Sequence, residues 1–321
     1  MSTSHPPISA VIPACNAESC LARAIESVFS QTHPVSEIIV VDDGSRDATS
    51  DIVRSFGDPV RLVRQSNAGP SAARNHGIRL ARSEWIALLD ADDAWLPEKL
   101  ERQLPYLAET GVGAVHCPTD TCLAECEYEG ELTFEMLWTH NMIGTSTVLL
   151  RKSAWEDVGG FDEDRELTCV EDYNLWLRLL LAGWRIRRCP ERLAVYSPEA
   201  GNLSSQTHRV IRAELLNARR VAEVAGLAGA ALRSKESRIH GEYGQSLVHS
   251  RDMRSARRHL TQAMMRRPTR LHAKYWLATL VPPSLLNWRR ERRRQPQESP
   301  AVVEAVQSSG ASPAASERNS P

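Results

Sequence analysis

Short apolar runs alternate with amphipathic stretches through the first hundred residues. Ile8–Pro13 is a β-rich run ended by proline, and Glu37–Val41 is continuously apolar after its first residue. Val60–Val63 and Trp85–Leu89 complete a set of four short strands. Between them lie three helical patterns: Ser19–Gln31, with Leu21, Ile25, Val28 and Phe29 at helical spacing, then Asp47–Phe56 and Gly69–Ala81. Apolar spacing that switches between strand and helix at this rhythm predicts βαβ units and a mainly parallel sheet flanked by helices.

The pattern is mixed from Gly111 to Pro198, where Val112–Cys117 and Ser146–Arg151 read as strands and Glu171–Ala182 as an amphipathic helix. Beyond Gly201 the chain reads as helical, over Val210–Val224 and then roughly Ala230–Arg267. Within Tyr243–Pro268, Ala256, Leu260 and Ala263 fit one helical hairpin, with no second copy that would make a repeat array. From Gln295 onward Pro, Ser, Ala, Glu and Gln dominate without aromatics, which predicts a disordered tail.

Composition narrows the picture modestly. The 321 residues are 42% apolar and 25% charged with a net charge of −1, so overall charge gives no reason to expect nucleic acid. The seven cysteines form no Cys-x-x-Cys pair, which disfavours a zinc cage and fits free thiols in a reducing cytoplasm. Met1–Pro7 has no charged-then-apolar leader, and no window approaches the ~18 apolar residues of a spanning helix. The expectation is a cytoplasmic protein, with room for attachment at the inner face of the membrane.

Candidate chemistry gathers where strands end. Trp85–Leu89 runs straight into Asp90, Asp92 and Asp93. Carboxylates crowded at a strand end repel one another and cost desolvation, so a cation such as Mg²⁺ or Mn²⁺ would suit them. The alternative is an Asp-rich turn that caps the helix starting near Pro97. In open α/β sheets ligands sit beyond the carboxyl ends of the strands. Asp42 and Asp43 occupy another such end, so both acidic turns should share one sheet edge.

Taken in order, several motifs resemble the nucleotide-binding half of glycosyltransferase family 2. They are Val11-Ile12-Pro13-Ala14-Cys15-Asn16, Ser27 through Thr32, Glu37 through Ser45, Asn67 through Gly77, and Leu89-Asp90-Ala91-Asp92-Asp93. Gly159-Gly160-Phe161-Asp162 and Glu171 through Arg178 are similar to the family's acceptor-side motifs, and the resemblance spans about Ile8–Ser205. It implies a GT-A-like fold and a metal-dependent inverting transferase. Such an enzyme moves sugar from a nucleotide-diphosphate sugar, UDP-linked by preference, to a hydroxyl acceptor in polysaccharide, lipopolysaccharide or glycolipid assembly. Pro13 and Cys15 would line the base, Asp43 would accept from base or ribose, and Arg74 would stand near the nucleotide. Asp90, Asp92 and Asp93 match the Asp-x-Asp region, with Asp92 as the expected metal ligand and Asp90 and Asp93 on the nucleotide. Asp172 would be the general base, with Glu171 orienting a neighbour or the acceptor. Both could also simply favour a helix N-terminus.

Two departures stand out. Cys15 replaces a tyrosine that could stack on a base. Tyr196-Ser197-Pro198-Glu199 stands where many relatives carry Tyr-Arg-x-His, and His208 is a distant substitute.

The expected organisation is a GT-A-like domain over 1–205, divided near 110 into nucleotide and acceptor halves, then a helical C-terminal extension over 206–294 and a tail over 295–321. Tyr275, Trp276, Leu277, Leu285, Leu286 and Trp288 lead into the arginines of 289–294, a pattern suited to an anionic membrane surface as well as to a packed helix with a solvated end. Two rivals differ in kind. A non-catalytic sugar-binding scaffold would be expected to lose its carboxylates, whereas this chain retains them. A sugar nucleotidyltransferase would want a glycine- and cation-bearing loop after the first strand, whereas Pro13–Glu18 has neither.

Overall fold

A computed structural model describes residues 6–120, 128, 131–197 and 207–282. The arginines of 289–294, the tail beyond Gln295, Pro198 and Glu199, and Cys122 and Cys126 lie outside those residues.

The expected alternation is present: β1 (Ile8–Ala14), α1 (Leu21–Phe29), β2 (Glu37–Asp43), α2 (Thr49–Ser55), β3 (Val60–Gln65), α3 (Pro70–Leu80) and β4 (Trp85–Leu88). A two-residue strand β5 (Ala94–Trp95), α4 (Lys99–Leu107), β6 (Val112–His116), α5 (Phe134–Thr139), β7 (Leu149–Arg151) and α6 (Lys152–Asp157) follow. Then come α7 (Glu171–Leu181), β8 (Arg185–Arg188), β9 (Ala194–Val195) and four helices: α8 (Thr207–Val224), α9 (Gly229–His249), α10 (Met253–Arg266) and α11 (Arg270–Ala278).

Seven strands form one sheet in the order β3-β2-β1-β4-β7-β6-β8, and β5 pairs with β9 apart from it. β7 alone runs antiparallel, to β4 and to β6. Side-chain alternation along β1 divides the core into two layers. Ile8, Ala10 and Ile12 meet α1 and α4 through Leu21, Ile25, Leu100 and Leu104. Val11, with Ile39 and Val41 of β2, meets α3, α6 and α7 through Ala73, Ile78, Trp155 and Trp176. The mixed, mainly parallel α/β sheet is the architecture expected from the sequence.

One local expectation needs correction. Ser146 and Thr147 are not strand but belong to a 3-10 turn, Thr145–Thr147. Thr147 bonds back to the Gly144 carbonyl at 2.7 Å, a local competitor with ladder pairing. The stretch 230–267 is two helices, as a hairpin within Tyr243–Pro268 requires, broken at Ser250–Asp252, where Arg251 takes a φ of 70° and Asp252 caps α10 by accepting from Ser255 N–H at 3.1 Å. α8 packs into the main core, with Ala213 and Val221 buried in the same layer as α7. β8 was missed because Arg185, Arg187 and Arg188 leave Ile186 as its one apolar residue. As an edge strand it exposes that charge, and Arg185 pairs with Glu131 at 2.7 Å. No helix among the described residues is long and apolar enough to cross a membrane.

α3 lies against the sheet because Gly77 has no side chain. A methyl there would stand 2.5 Å from Val11 Cγ1 and 3.2 Å from Val41 Cγ2. Overpacking of this kind typically costs about 1–3 kcal/mol. Gly77→Ala should therefore lower the urea midpoint by an equivalent amount, and a midpoint equal to that of the parent would contradict the close approach.

Candidate active site

The acidic turn begins where β4 ends. Asp93 N–H donates to the Asp90 carbonyl at 3.1 Å, closing a turn. Ser146 reaches into it from the 3-10 turn: its hydroxyl accepts from Asp90 N–H at 3.0 Å and donates to Asp93 Oδ2 at 2.6 Å. Asp93 Oδ1 accepts from Ser197 N–H at 3.1 Å. Both Asp93 oxygens thus face protein, and the side chain is buried. Desolvation, with the charges of Asp90 and Asp92 added, pushes its pKa up to about 7 despite the Ser146 and Ser197 hydrogen bonds.

Arg74 links this turn to the acceptor half. It is 5% exposed. One guanidinium nitrogen donates to Asp90 Oδ1 and the other to Glu171 Oε1, each at 2.7 Å. Its carbon sits 5.5 Å from the Phe161 ring centre. Burial pulls its pKa down, but the two carboxylates more than compensate, and the group is held charged. Arg74, expected beside the nucleotide, pairs here with two carboxylates of its own chain. Glu171 is equally committed, since its other oxygen accepts from Cys169 N–H at 2.7 Å.

Asp172 follows at the start of α7 and is partly exposed. Its Oδ1 accepts from Tyr173 N–H at 2.6 Å and its Oδ2 from the Thr145 hydroxyl at 3.2 Å. Desolvation and then the charge of Glu171 push its pKa up, opposed by Arg74. A carboxyl raised toward neutrality is poised to take a proton.

Pro13, Cys15 and Asp43 form a second group, at the carboxyl ends of β1 and β2. Pro13 pairs with Val41 across the two strands. Asp43 accepts from Gln65 Nε2, Ala68 N–H and Gly69 N–H, each at 2.8 Å, which fixes the loop entering α3. The exposed Cys15 thiol accepts from Asn67 Nδ2 at 3.3 Å, and Arg165 in turn bonds to Asn67 Oδ1 at 3.1 Å. α3 joins the two groups, with the Asp43-bound amides at its start and Arg74 one turn further on. His208 lies elsewhere, 3.8 Å from Asp252.

The sequence reading passed over Thr145, Ser146, Asn67 and Arg165. Asn67 stood within a quoted motif, while the two hydroxyls carried no local signal. Among the described residues no group of three His, Cys, Asp or Glu side chains could enclose a metal. Asp90 and Asp92, partly exposed in the acidic turn, are the carboxylates there that could meet a divalent ion. Mg²⁺ and Mn²⁺ sites of this kind commonly take one or two carboxylates and complete their shell with substrate phosphates.

A model of glycosyl transferase family 2 matches residues 9–156. TuaG of Bacillus subtilis, named for glycosyl transfer in teichuronic acid biosynthesis, is 30% identical over 64% of this chain and 84% of its own length. The UDP-Glc:alpha-D-GlcNAc-diphosphoundecaprenol beta-1,3-glucosyltransferase WfaP of Escherichia coli is 28% identical over 62% of this chain and 80% of its own. The matched span is only 60% and 58% of the length of two Rickettsia relatives, from R. typhi and R. prowazekii. Among solved structures, the mannosyltransferase PcManGT of Pyrobaculum calidifontis, in complex with GDP-Man and Mn²⁺, superposes with a TM-score of 0.62. That likeness, at 20% identity over 89% of this chain and 84% of the other, establishes a shared fold.

The raised pKa of Asp93 has a stability consequence. Between the ordinary carboxylate range and about 7, the folded chain holds a proton that the unfolded chain releases, so this contribution weakens as pH rises through that window. Asp93→Asn removes the titration. Without added metal, its melting temperature relative to the parent should be more favourable at pH 8 than at pH 5. A difference independent of pH would mean that Asp93 titrates normally.

Proposed function

The chain belongs to glycosyltransferase family 2, and on that premise we propose that it transfers a sugar from a nucleotide-diphosphate donor to a hydroxyl acceptor, with inversion. One observation carries the reading: Arg74 holds the acidic turn and the Glu171–Asp172 end of α7 in one electrostatic field. The proposed leaving-group site then lies beside one partner of the guanidinium, Asp90, and the proposed proton acceptor, Asp172, is the neighbour in sequence of the other, Glu171. In the proposed step the acceptor oxygen attacks the anomeric carbon, the bond from that carbon to the diphosphate oxygen breaks, and the acceptor proton passes to Asp172.

In this reading Pro13, Cys15 and Asn67 would meet the base, and Asp43 shapes their loop. Asp92, with Asp90 beside it, would hold Mg²⁺ or Mn²⁺, which when bound neutralises charge on the leaving diphosphate as a Lewis acid. UDP is the nucleotide we favour, since the name of WfaP specifies UDP-Glc. The names of TuaG and WfaP support an acceptor in cell-surface polysaccharide or lipid-linked saccharide assembly.

A panel of UDP-sugars assayed for transfer or hydrolysis with Mn²⁺ tests the reading. Turnover should require the ion and collapse in Asp92→Ala. Asp172→Asn should lower kcat by about 10²–10⁴-fold, the usual contribution of a positioned base, while donor binding persists. Full activity in Asp172→Asn would remove that residue as base.

Action at the inner face of a membrane fits the same reading. α11 leaves Leu271 and Leu277 exposed beside Arg270 and Lys274, and Leu280 is exposed just beyond its end. The chain continues to Trp288 and five arginines within 289–294. Anionic lipid attracts such segments with about 1 kcal/mol per cation. The full chain should pellet with phosphatidylglycerol vesicles, and replacing those five arginines with glutamine should abolish pelleting. Equal pelleting by both chains would rule out this contact.

A further inference from the structure

The 3-10 turn Thr145–Thr147 belongs to no motif, yet its first two side chains serve both halves of the site. The Thr145 hydroxyl donates to Asp172 Oδ2 at 3.2 Å. The next residue's hydroxyl, that of Ser146, donates to Asp93 Oδ2 at 2.6 Å and accepts from Asp90 N–H at 3.0 Å. Neighbouring hydroxyls on one short turn therefore bind two carboxylates from separate elements, the β4–β5 turn and α7.

The turn is held too firmly for these contacts to be adjustable. All three of its residues are buried. Trp95 Nε1 donates to the Ser146 carbonyl at 2.6 Å, and the fully buried Gln103 donates to the Thr147 carbonyl at 2.9 Å. Val148 N–H closes back on the Thr145 carbonyl at 3.1 Å. A hydroxyl has a single proton to donate, so each of these is committed to one carboxylate. Asp172 Oδ1 meanwhile accepts from Tyr173 N–H, and near Oδ2 the Asn141 amide stands at 3.5 Å, longer than an ordinary hydrogen bond. Thr145 is thus the principal side chain that orients the oxygen left for an incoming proton.

We propose that Thr145 and Ser146 are a two-sided pair of positioning residues. Thr145 orients the Asp172 carboxyl toward the acceptor, and Ser146 fixes the acidic turn that receives the donor diphosphate. Adjacent residues of one turn thereby set the separation between the two half-sites. The inference rests on the reading of Asp172 as the base, and hydroxyl placement of this kind is what keeps reacting groups within catalytic range.

The experiment compares the parent with Thr145→Val, Thr145→Ser and Ser146→Ala, using whichever UDP-sugar the parent turns over with Mn²⁺. Thr145→Val should lower kcat about tenfold, in line with loss of one hydrogen bond to a charged group, and leave the donor KM unchanged. The acidic limb of its pH profile should move to higher pH, because the lost donor stabilised the ionised carboxyl. Thr145→Ser should restore both rate and limb. Ser146→Ala should instead raise the donor KM severalfold and weaken binding of UDP with Mn²⁺ in calorimetry, with the acidic limb in place. Melting temperatures identify variants that merely unfold, and the serine rescue keeps the Thr145 role testable even then. An acidic limb that stays put in Thr145→Val, or the same kcat and KM change in both truncations, would overturn the proposal. Parent activity surviving Asp172→Asn would overturn the base assignment itself, and with it the role given to Thr145.

Discussion

The site depends on a charged guanidinium buried between two carboxylates. Placing Arg74 inside the protein would be prohibitively costly without Asp90 and Glu171, and removing either partner of such a pair typically costs about 3–5 kcal/mol. The partners lie 16 and 97 residues away in the chain, on the β4–β5 turn and at the head of α7. Satisfying one cation therefore forces the nucleotide half and the acceptor half into a single arrangement. Backbone strain accompanies it. Cys169 takes a φ of 89°, unusual for a residue with a side chain, and the Glu171 carboxylate holds its amide there.

α3 carries this constraint across the molecule. Its entry amides hold Asp43, its second turn supplies Arg74, and Asn75 comes next. The Asn75 carboxamide oxygen accepts from Phe161 N–H at 2.9 Å and from Trp155 Nε1 at 3.1 Å, while its nitrogen donates to the Phe161 carbonyl at 2.8 Å. Gly160 makes this clasp feasible: its φ is 77°, and a methyl there would lie 2.9 Å from the Asn75 oxygen. The loop entering α3 thus binds the end of β2, and the adjacent positions Arg74 and Asn75 bind the acidic turn and the Gly159–Phe161 loop. A shift of α3 would disturb every part of the site together.

How much of this was legible in the sequence follows from the range of the interactions. The strands of the nucleotide half were readable because burial on both faces leaves continuous apolar runs, and the acidic turns because they end those runs. Asp172 was singled out through a motif, and its role as base is the proposal above. The partners of Arg74 were not readable, since an arginine on a helix looks the same whether it meets phosphate or a carboxylate 97 residues on. Thr145 and Ser146 were hidden inside what read as a strand, because hydroxyl residues are common and their partners lie in other elements. β8 escaped because an arginine-rich edge strand loses the apolar pattern. The place of α8 in the main core was missed because helical periodicity says which face is buried and not what covers it.

The carboxylates around Arg74 divide their labour by burial. Asp93 turns both oxygens inward, to Ser146 and Ser197, and its raised proton affinity makes it a poor anion near neutral pH. Such a group organises a turn better than it binds an ion. Asp90 gives one oxygen to Arg74 and keeps a partly exposed side chain, and Asp92 lies in the same turn with intermediate exposure. These two, not the most buried member, are the groups able to meet a ligand. Arg74 pairs with Asp90 and Glu171, and Asp92 and Asp172 stand close to those two partners in sequence, so carboxylates crowd this end of the site. In the proposed reaction a cation accompanying the diphosphate would lessen its repulsion by these carboxylates.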